Sequence, residues 1–387
     1  MLKLKSIFMG IGVAAILFSS CSKSNQTLSG LDPAAFDTTI NGKPVKLYTL
    51  TNKNGMEVCI TNFGGRIVSL MTRDRNGAFV DVVLGYDNIK QYADTVNSPS
   101  DFGATIGRYA NRINKGQLII DGKKIQLPTN NFGHCLHGGP SGWQYQVYDA
   151  EQIDPQTLKL TIVSPDGDNG FPGTVTATAT YKLTDDDALD CTFEATTDKE
   201  TVINMCNHSY FTLTGDPSQP GTNMILHVKA DKMTPVDTTY MTTGEIRDVY
   251  GSSLDFNKHR ALYELIGDTT EHQIKYAGGF DHNYVLNTYK DGKGNDQKVA
   301  ASLYAENTGI FLQVYTNEPG IQVYTGNFQG TGISCKHGIK YPKHVSVCLE
   351  TQKYPDSPNK VAKGWPSPYL KPGEKYMSHC VYKFSTK

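Results

Sequence analysis

The 387-residue chain lacks a surplus of charge of either sign, and this limits the partners that it can have. Its 37 lysines and arginines and 38 aspartates and glutamates give a formal net charge of −1. Nucleic-acid-binding proteins neutralise phosphates with clustered basic residues, so this balance argues against a nucleic-acid partner. Charged residues make up only 19% of the chain, whereas 37 glycines and 22 tyrosines are present. This composition is typical of an ordered protein rich in strands and turns.

Sequence motifs for metal, nucleophile and phosphate chemistry are also missing. There is no HExxH string, no GxSxG string and no glycine-rich loop followed by Lys-Ser or Lys-Thr. His134 and His137 lie three residues apart, but no carboxylate lies in that segment. His337 and His344 are more widely spaced. We therefore expect neither a catalytic metal nor a nucleophilic triad.

Closely spaced cysteine pairs are absent as well. No CxxC string occurs, and the cysteines other than Cys21 number seven: Cys59, Cys135, Cys191, Cys206, Cys335, Cys348 and Cys380. An odd number cannot all pair, and several lie in apolar, strand-like runs where a free cysteine behaves as a small hydrophobic residue. We expect these cysteines to be mostly reduced and buried.

The N-terminus carries an apolar segment, residues 7–18, that is too short to span a membrane. Two lysines precede it, and two serines and Cys21 follow it, which resembles a bacterial lipoprotein signal. This pattern predicts a signal peptide over residues 1–20, a lipid on Cys21 and a polar tether over residues 21–36. An ordinary secretory signal cut nearby is the alternative. The predicted location is the bacterial cell envelope, on its periplasmic or surface face, with the lipid as the membrane anchor.

Long stretches of helical periodicity are absent after this segment, and strand patterns take their place. Residues 174–183 (TVTATATYKL) alternate apolar and polar side chains, which is typical of a half-buried strand. The pattern predicts further strands and two short helices, the strands at residues 158–163, 190–195, 311–316 and 345–350 and the helices at 87–92 and 259–266. We predict an all-β fold, a single large antiparallel β-sandwich domain over residues 37–387 with few short helices.

Polar residues are gathered in short islands, each set among glycines or aromatic residues. Taken singly, an arginine or a histidine in such an island has an ordinary structural explanation, as a surface ion pair or a buried hydrogen-bonded side chain. Taken together, the islands are typical of a monosaccharide pocket, because sugar hydroxyls need paired donors and acceptors and sugar ring faces need aromatic platforms. His208 and Glu350 add an acid and a base suited to moving protons on a neutral polar substrate.

In their order along the chain, the islands resemble those of the aldose 1-epimerase (galactose mutarotase) family. The matching strings are residues 107–113 (GRYANRI), 136–139 (LHGG), 167–173 (GDNGFPG), 207–213 (NHSYFTL), 279–284 (GFDHNY), 319–327 (PGIQVYTGN) and 349–352 (LETQ). They extend over nearly the whole chain after the signal segment. The resemblance implies a galactose mutarotase-like β-supersandwich. It also implies an isomerase that interconverts the α and β anomers of free aldoses such as glucose and galactose, without a cofactor.

The resemblance also implies roles for individual residues. Glu350 would be the general base and His208 the general acid, and His137 would steady the charge that develops at the sugar ring. The implied substrate-binding residues are Asn111, Arg112, His137, Ser209, Tyr210, Asp281 and Glu318. Glu318 lies where the family often has glutamine, so its hydroxyl contact is expected but its effect on sugar selectivity is open.

Strand alternation in the last island agrees with the role given to Glu350. Val345, Val347 and Leu349 would share one face of the strand, and Glu350 would share the other face with Cys348. Glu350 would then project away from the apolar face.

Two other functions fit the same sequence. A sugar-binding surface lipoprotein without catalysis would keep the fold but lack the acid or the base. An epimerase of hexose 6-phosphates would need additional basic residues at the rim of the pocket. The sequence leaves open whether the protein is a monomer or a dimer.

Overall fold

The structure is a computed structural model that describes residues 26–387, so the predicted signal peptide and Cys21 lie outside the described residues. Strands dominate the fold, and the prediction of an all-β protein is confirmed. The two α-helices are Ile89–Ala93 and His272–Ala277. The short 3-10 turns are Pro33–Phe36, Asn114–Gly116, Trp143–Tyr145, Asp168–Gly170, Leu262–Glu264, Lys336–Gly338, Ser357–Asn359 and Val361–Lys363. Within residues 26–387, no helix has the length and apolar character needed to cross a membrane.

Three antiparallel sheets form the body of the domain. The largest has nine strands in the order Asp149–Asp154, Thr157–Ser164, Val175–Leu183, Ala188–Thr197, Tyr376–Thr386, Ile310–Thr316, Val299–Tyr304, Ile225–Val228 and Arg260–Ala261. The second has six strands in the order Tyr210–Phe211, Val347–Gln352, Gly320–Tyr324, Asp281–Val285, Lys232–Thr234 and Arg247–Asp248. The third has four strands in the order Leu47–Thr51, Glu57–Thr61, Arg66–Arg73 and Phe79–Asp81.

Short two-stranded ladders connect and flank these sheets. They pair Thr38–Ile40 with Lys43–Val45, Ala104–Ile106 with Cys206–His208, Arg112–Ile113 with Cys135–Leu136, Gln117–Ile120 with Lys123–Gln126, Thr201–Val202 with Tyr369–Leu370, and Tyr289–Lys290 with Lys293–Gly294. Two of these ladders, those that contain Arg112 and His208, carry residues of the candidate site.

The main apolar core lies between the nine-stranded and six-stranded sheets. Tyr382 of the larger sheet packs its ring 5.0 Å from that of Phe211 and donates a hydrogen bond of 3.2 Å to the Leu349 carbonyl of the smaller sheet. All three residues are buried in one continuous cluster. Burial of each such side chain contributes about 1.5–3 kcal/mol to the stability of the fold. This contact therefore helps to hold the two sheets against each other.

The strand pattern of the sequence is largely confirmed. The strand predicted at 174–183 is Val175–Leu183, and its side chains alternate between buried and more exposed positions. The strand predicted at 345–350 begins later, as Val347–Gln352, and both of its faces are buried. The simple division into an apolar and a polar face is therefore wrong here. Leu349 lies in the main core, whereas Cys348 lies in a second apolar cluster on the face that it shares with Glu350.

The helix predictions had mixed outcomes. The helix predicted at 87–92 is Ile89–Ala93, which begins after Asn88, whose side chain accepts a hydrogen bond from the Gln91 amide. The prediction of a helix at 259–266 was wrong, because this segment forms the edge strand Arg260–Ala261 and a single 3-10 turn. Pairing of Arg260–Ala261 with Ile225–Val228 satisfies backbone groups that a helix would otherwise use.

Ordered packing begins before residue 37, within the segment predicted as a polar tether. Leu31 and Phe36 are buried in the second apolar cluster, and the Phe36 ring lies 6.4 Å from that of Tyr92. The Leu28 amide donates a hydrogen bond of 2.7 Å to Glu57 Oε1. Burial of the two apolar side chains outweighs the polar character of the segment around them.

Seven cysteines fall within residues 26–387, and all are buried and unpaired. This agrees with their prediction as small apolar residues. Burial raises the pKa of the Cys59 and Cys135 thiols to about 12, so these groups remain protonated at neutral pH.

Candidate active site

One cavity of about 330 Å³ collects seven of the nine residues that the sequence placed in the site. These residues come from segments far apart in the chain, and the ladders and the six-stranded sheet bring them together. They are Asn111, Arg112, His137, His208, Tyr210, Asp281 and Glu350. The cavity is about large enough for one small polar ligand.

Glu350 and His208 meet inside this cavity. Glu350 lies in the strand Val347–Gln352 of the six-stranded sheet, and His208 ends the strand Cys206–His208. His208 Nε2 is 3.5 Å from Glu350 Oε1, and the two residues are 4% and 2% exposed. Two groups at this separation can reach two oxygen atoms bonded to the same carbon of a ligand placed against them.

The surroundings of Glu350 make it a stronger base than an ordinary carboxylate. Burial raises the pKa of Glu350 to about 7, and the nearby charges of Asp281 and Asp101 act in the same direction. His208 opposes this shift. A carboxylate with a pKa near neutrality can accept a proton and release it again at physiological pH.

Each carboxylate oxygen of Glu350 faces a side chain of the strand Cys206–His208. Cys206 and His208 are two residues apart, so their side chains lie on the same side of the strand. The Cys206 thiol donates a weak hydrogen bond to Glu350 Oε2, with a sulfur–oxygen distance of 3.7 Å, while His208 faces Oε1. The side chain of Asn207 points elsewhere and donates to the Gly103 carbonyl. The strand therefore orients the carboxylate from both sides.

The ring of His208 is held by packing. It stacks on Tyr210 with a centroid distance of 4.9 Å and an interplanar angle of 26°, and it meets the edge of His137 at 5.3 Å. Among the described residues, none forms a hydrogen bond with its buried Nδ1 atom. Packing against aromatic neighbours therefore orients this imidazole on the side away from Glu350.

His137 and Asn111 form a reciprocal pair that fixes the state of the second histidine. The His137 amide donates to the Asn111 carbonyl, and the Asn111 amide donates to His137 Nδ1, each over 3.1 Å. Since Nδ1 is an acceptor, the neutral ring carries its proton on Nε2. Burial lowers the pKa of His137 to about 3. His137 is thus a neutral hydrogen-bond donor.

Arg112 and Asp281 supply opposite charges in the same cavity, and each is oriented by an amide side chain. Arg112 donates to Asn131 Oδ1 from Nε and Nη2, at 3.1 and 2.8 Å. Asp281 Oδ1 accepts a hydrogen bond of 2.6 Å from Gln322 Nε2. Burial raises the pKa of Asp281, while Arg112 lowers it. Fixed donors and acceptors of this kind are suited to binding the hydroxyl groups of a polar ligand.

Three side chains of the cavity also have the spacing of a metal site. One potential ligand atom from each of His137, His208 and Glu350 lies within 4.8 Å of the others. Occupation by a metal ion would engage the imidazole of His208 and the carboxylate of Glu350, which are also the groups positioned to exchange protons. These three side chains could therefore serve either acid–base chemistry or metal binding, but not both at once.

Comparison with known proteins agrees with this site and fold. The model of the family described as aldose 1-epimerase matches residues 46–383. The chain belongs to the aldose 1-epimerase family. It is 37% identical to a galactose mutarotase of Bos taurus over 85% of this chain and 91% of the relative, and 35% identical to an aldose 1-epimerase of Escherichia coli K12 over 89% and 96%. The resemblance seen in the sequence is confirmed.

Solved structures of aldose epimerases share the fold. A homologue from C. elegans superposes with a TM-score of 0.80 at 29% identity, covering 88% of this chain and 99% of the other. A galactose 1-epimerase from Lactobacillus acidophilus superposes with a TM-score of 0.77 at 28% identity, covering 90% and 97%. The prediction of a galactose mutarotase-like sandwich is therefore confirmed.

Two residues expected in the epimerase site do not line the cavity. The Ser209 hydroxyl donates a hydrogen bond of 2.6 Å to Asn207 Oδ1, so it is used within its own strand segment. Glu318 is buried before the strand Gly320–Tyr324, where it accepts hydrogen bonds from Lys353 at 3.2 Å and Tyr376 at 3.4 Å. Neither residue is among those that line the cavity, and their part in substrate binding stays a prediction.

Gln322, in the same island, supports the site through Asp281 without lining the cavity itself. It lies directly opposite Glu350 in the antiparallel pairing of the six-stranded sheet, and it orients Asp281. Asp101, which lines the cavity, was missed as well. Gln322 and Glu318 lie in the same polar island of the sequence. Only the pairing register of the strand shows that Gln322, and not Glu318, lies next to Glu350 and Asp281.

Proposed function

We propose that the chain is an aldose 1-epimerase that interconverts the α and β anomers of free aldoses such as glucose and galactose. In this proposal Glu350 is the general base and His208 is the general acid. The observation that carries it is the distance of 3.5 Å between His208 Nε2 and Glu350 Oε1 inside one cavity that polar and aromatic side chains line. The hydroxyl oxygen and the ring oxygen of a cyclic aldose are both bonded to C1, so one acid–base pair can serve both.

The reaction needs two proton transfers and one rotation. Glu350 removes the proton from the C1 hydroxyl as protonated His208 gives a proton to the ring oxygen, and the C1–O5 bond breaks. The resulting aldehyde turns about its C1–C2 bond. His208 then takes the proton from the C5 hydroxyl while Glu350 returns one to the aldehyde oxygen, and the ring closes with either configuration. Each positioned transfer contributes about 10²–10⁴-fold to the rate.

The other cavity residues hold the sugar during this rotation. His137 donates from Nε2 and steadies negative charge on an oxygen without adding a full positive charge. Arg112 and Asp281 bind hydroxyl groups that do not react, with Asn111 as the neighbour that orients His137. Tyr210 supplies an apolar surface beside His208. None of these roles requires a redox group.

Polarimetry of freshly dissolved α-D-glucose and α-D-galactose tests the proposal. The His208→Asn variant should lose rate by about 10²-fold or more and change KM little, because the acid acts mainly in the transition state. Dialysis against EDTA should leave the wild-type rate unchanged, since the atoms that would bind a metal are those that move protons. A wild-type rate equal to the spontaneous one would favour a non-catalytic sugar-binding protein.

The charges of the cavity favour a free aldose over a hexose 6-phosphate. Among the described residues that line it, Arg112 is the only lysine or arginine, whereas Asp101, Asp281 and Glu350 are acidic. A phosphate dianion would meet more negative than positive charge there. We expect a much lower kcat/KM for glucose 6-phosphate than for glucose in the same assay.

We also propose that the enzyme is attached to the bacterial cell envelope by a lipid on Cys21. The support is the sequence of residues 1–21, with its two lysines, short apolar segment and paired serines before the cysteine. A single lipid chain binds membranes weakly, so stable attachment needs more than one chain on this residue. In the Cys21→Ser variant the protein should move from the membrane fraction to the soluble fraction. Unchanged fractionation would rule the anchor out.

A further inference from the structure

One wall of the cavity is formed by a segment with little regular structure. We call residues 328–341 the wall segment. It contains a single 3-10 turn, Lys336–Gly338, and neither an α-helix nor a strand. Five of its residues line the cavity, namely Phe328, Gln329, Thr331, Ile333 and Cys335. Because no sheet ladder holds this segment, its position beside the catalytic residues depends on other contacts.

Lys336 makes the most deeply buried polar contact of the wall segment. The residue is 3% exposed, although lysine is almost never buried unless it is paired. Its ammonium donates hydrogen bonds to the Val68 carbonyl at 2.6 Å and to the Val83 carbonyl at 2.9 Å. It also forms an ion pair with Asp81, with an Nζ–Oδ2 distance of 2.7 Å. The charge of this side chain is therefore compensated inside the protein.

The two carbonyls that Lys336 binds lie where regular strand pairing is interrupted. Val68 is the extra residue of a β-bulge, at which the register with the neighbouring strand shifts. Val83 comes just after a strand, and the next residue, Leu84, donates a hydrogen bond to the Tyr210 carbonyl. Lys336 thus takes the place of a missing strand partner. It also joins the wall segment to the chain that supports Tyr210, the residue on which His208 stacks.

Backbone contacts extend this joint towards the cavity. The Lys336 amide donates to the Gly85 carbonyl over 2.9 Å, and the Tyr341 hydroxyl donates to the same carbonyl over 3.1 Å. Tyr86, the next residue, lines the cavity. The wall segment and the opposite lining at Tyr86 therefore share one anchoring point, with the Lys336 ammonium at its centre.

We infer that Lys336 is a positioning residue, which holds the wall segment at the distance from His208 and Glu350 that a bound sugar requires. The inference rests on the proposed function, because the wall would contact the sugar while the acid and the base act from other strands. Desolvation offsets much of the attraction in a buried ion pair, so selecting one arrangement is a better-attested use of such a pair than adding stability. Loss of Lys336 should therefore weaken substrate binding and leave the proton transfers intact.

Polarimetric kinetics with D-galactose and D-glucose test this inference. In Lys336→Met the side chain keeps its length but loses its charge and its donors. We expect KM to rise about tenfold, which corresponds to about 1.4 kcal/mol, and kcat to stay within about twofold of the wild type. Lys340→Met is the matched control, because Lys340 lies in the same segment but is exposed. It should change neither constant.

Asp81→Asn tests the ion pair from its other side, and it is the decisive variant if Lys336→Met does not fold. Asparagine keeps the shape of the carboxylate but not its charge, so KM should rise about threefold at unchanged kcat. In the double variant the increase in KM should be smaller than the product of the two single increases, because both side chains act through one contact.

The split between KM and kcat separates positioning from a purely structural role. If the variants lower the urea midpoint but the folded enzyme keeps the wild-type KM, Lys336 only stabilises the fold and the inference is wrong. A lower kcat at unchanged KM also contradicts it. If the wild type does not accelerate mutarotation, the proposed function fails, and the calorimetric Kd for D-galactose then replaces KM. Binding to Lys336→Met that is about tenfold weaker supports the positioning role, and equal binding rejects it.

Discussion

Replacing Glu350 by glutamine should abolish mutarotation and stabilise the fold in a pH-dependent way. Glutamine has nearly the shape of glutamate but cannot accept the proton of the C1 hydroxyl. Since a positioned base contributes about 10²–10⁴-fold, the Glu350→Gln rate should fall by at least about 10²-fold. The substitution also removes a carboxylate that is 2% exposed, which makes its effect on stability informative.

The sign of the stability effect follows from the pKa of Glu350. Burial raises that pKa from 4.5 to about 7, so the folded protein binds this proton more tightly than the unfolded chain. The stabilising contribution is complete below pH 4.5 and is lost as the pH rises through about 7. Glutamine carries no such proton. Between pH 5 and pH 8 the variant should therefore gain about 2–3 kcal/mol of unfolding free energy relative to the wild type.

Urea denaturation at pH 5 and pH 8, together with polarimetry at pH 7, measures both effects. Glu245→Gln is the control, because Glu245 is exposed and lies outside the cavity lining. It should change neither the rate nor the stability difference between the two pH values. A Glu350→Gln rate above about a tenth of the wild-type rate would refute the role of the base. An equal stability difference at both pH values would refute the raised pKa.

Four further substitutions, at three positions, test how the site is positioned and whether Glu318 belongs to it. In Cys206→Ser the stronger hydroxyl donor should lower the pKa of Glu350 and shift the acid limb of the kcat/KM profile to lower pH. Cys206→Ala removes the donor and should shift that limb to higher pH. If the thiol is purely structural, neither variant should move the limb. Gln322→Leu should raise KM about tenfold, because Asp281 loses a hydrogen bond of 2.6 Å. Glu318→Gln should lower stability by about 1–2 kcal/mol through its contact with Lys353, yet leave the glucose-to-galactose rate ratio unchanged in polarimetry.

The strands of this fold could be read from the sequence because their pattern is local. Alternation over residues 174–183 depends only on which side chains face the core, and the strand Val175–Leu183 follows it closely. The segment 259–266 could not be read in this way. Its structure depends on pairing between Arg260–Ala261 and Ile225–Val228, which are distant in the chain. Short edge elements take their conformation from such non-local partners rather than from their own propensity.

The same distinction explains which site residues were found. Asn111, His137 and His208 lie in strings whose residue types already suit the chemistry of a sugar. Glu318 and Gln322 lie in one string, and both suit a hydroxyl contact. Only the start of the strand at Gly320 and its pairing with the strand of Glu350 place Gln322 beside Asp281.

The two ends of the cavity are held by different forces, and this suits a substrate that must open and turn. Arg112 is fixed by hydrogen bonds that it donates to Asn131 Oδ1, and Asp281 is fixed by one that it accepts from Gln322, so the unreactive hydroxyls meet rigid partners. His208 is held mainly by stacking on Tyr210, which leaves its ring free of a second fixed hydrogen bond within the described residues. Changes that loosen the first group should therefore act on KM. Changes to His208, or to Cys206 beside Glu350, should act on kcat. These changes affect the groups that transfer protons in the reaction.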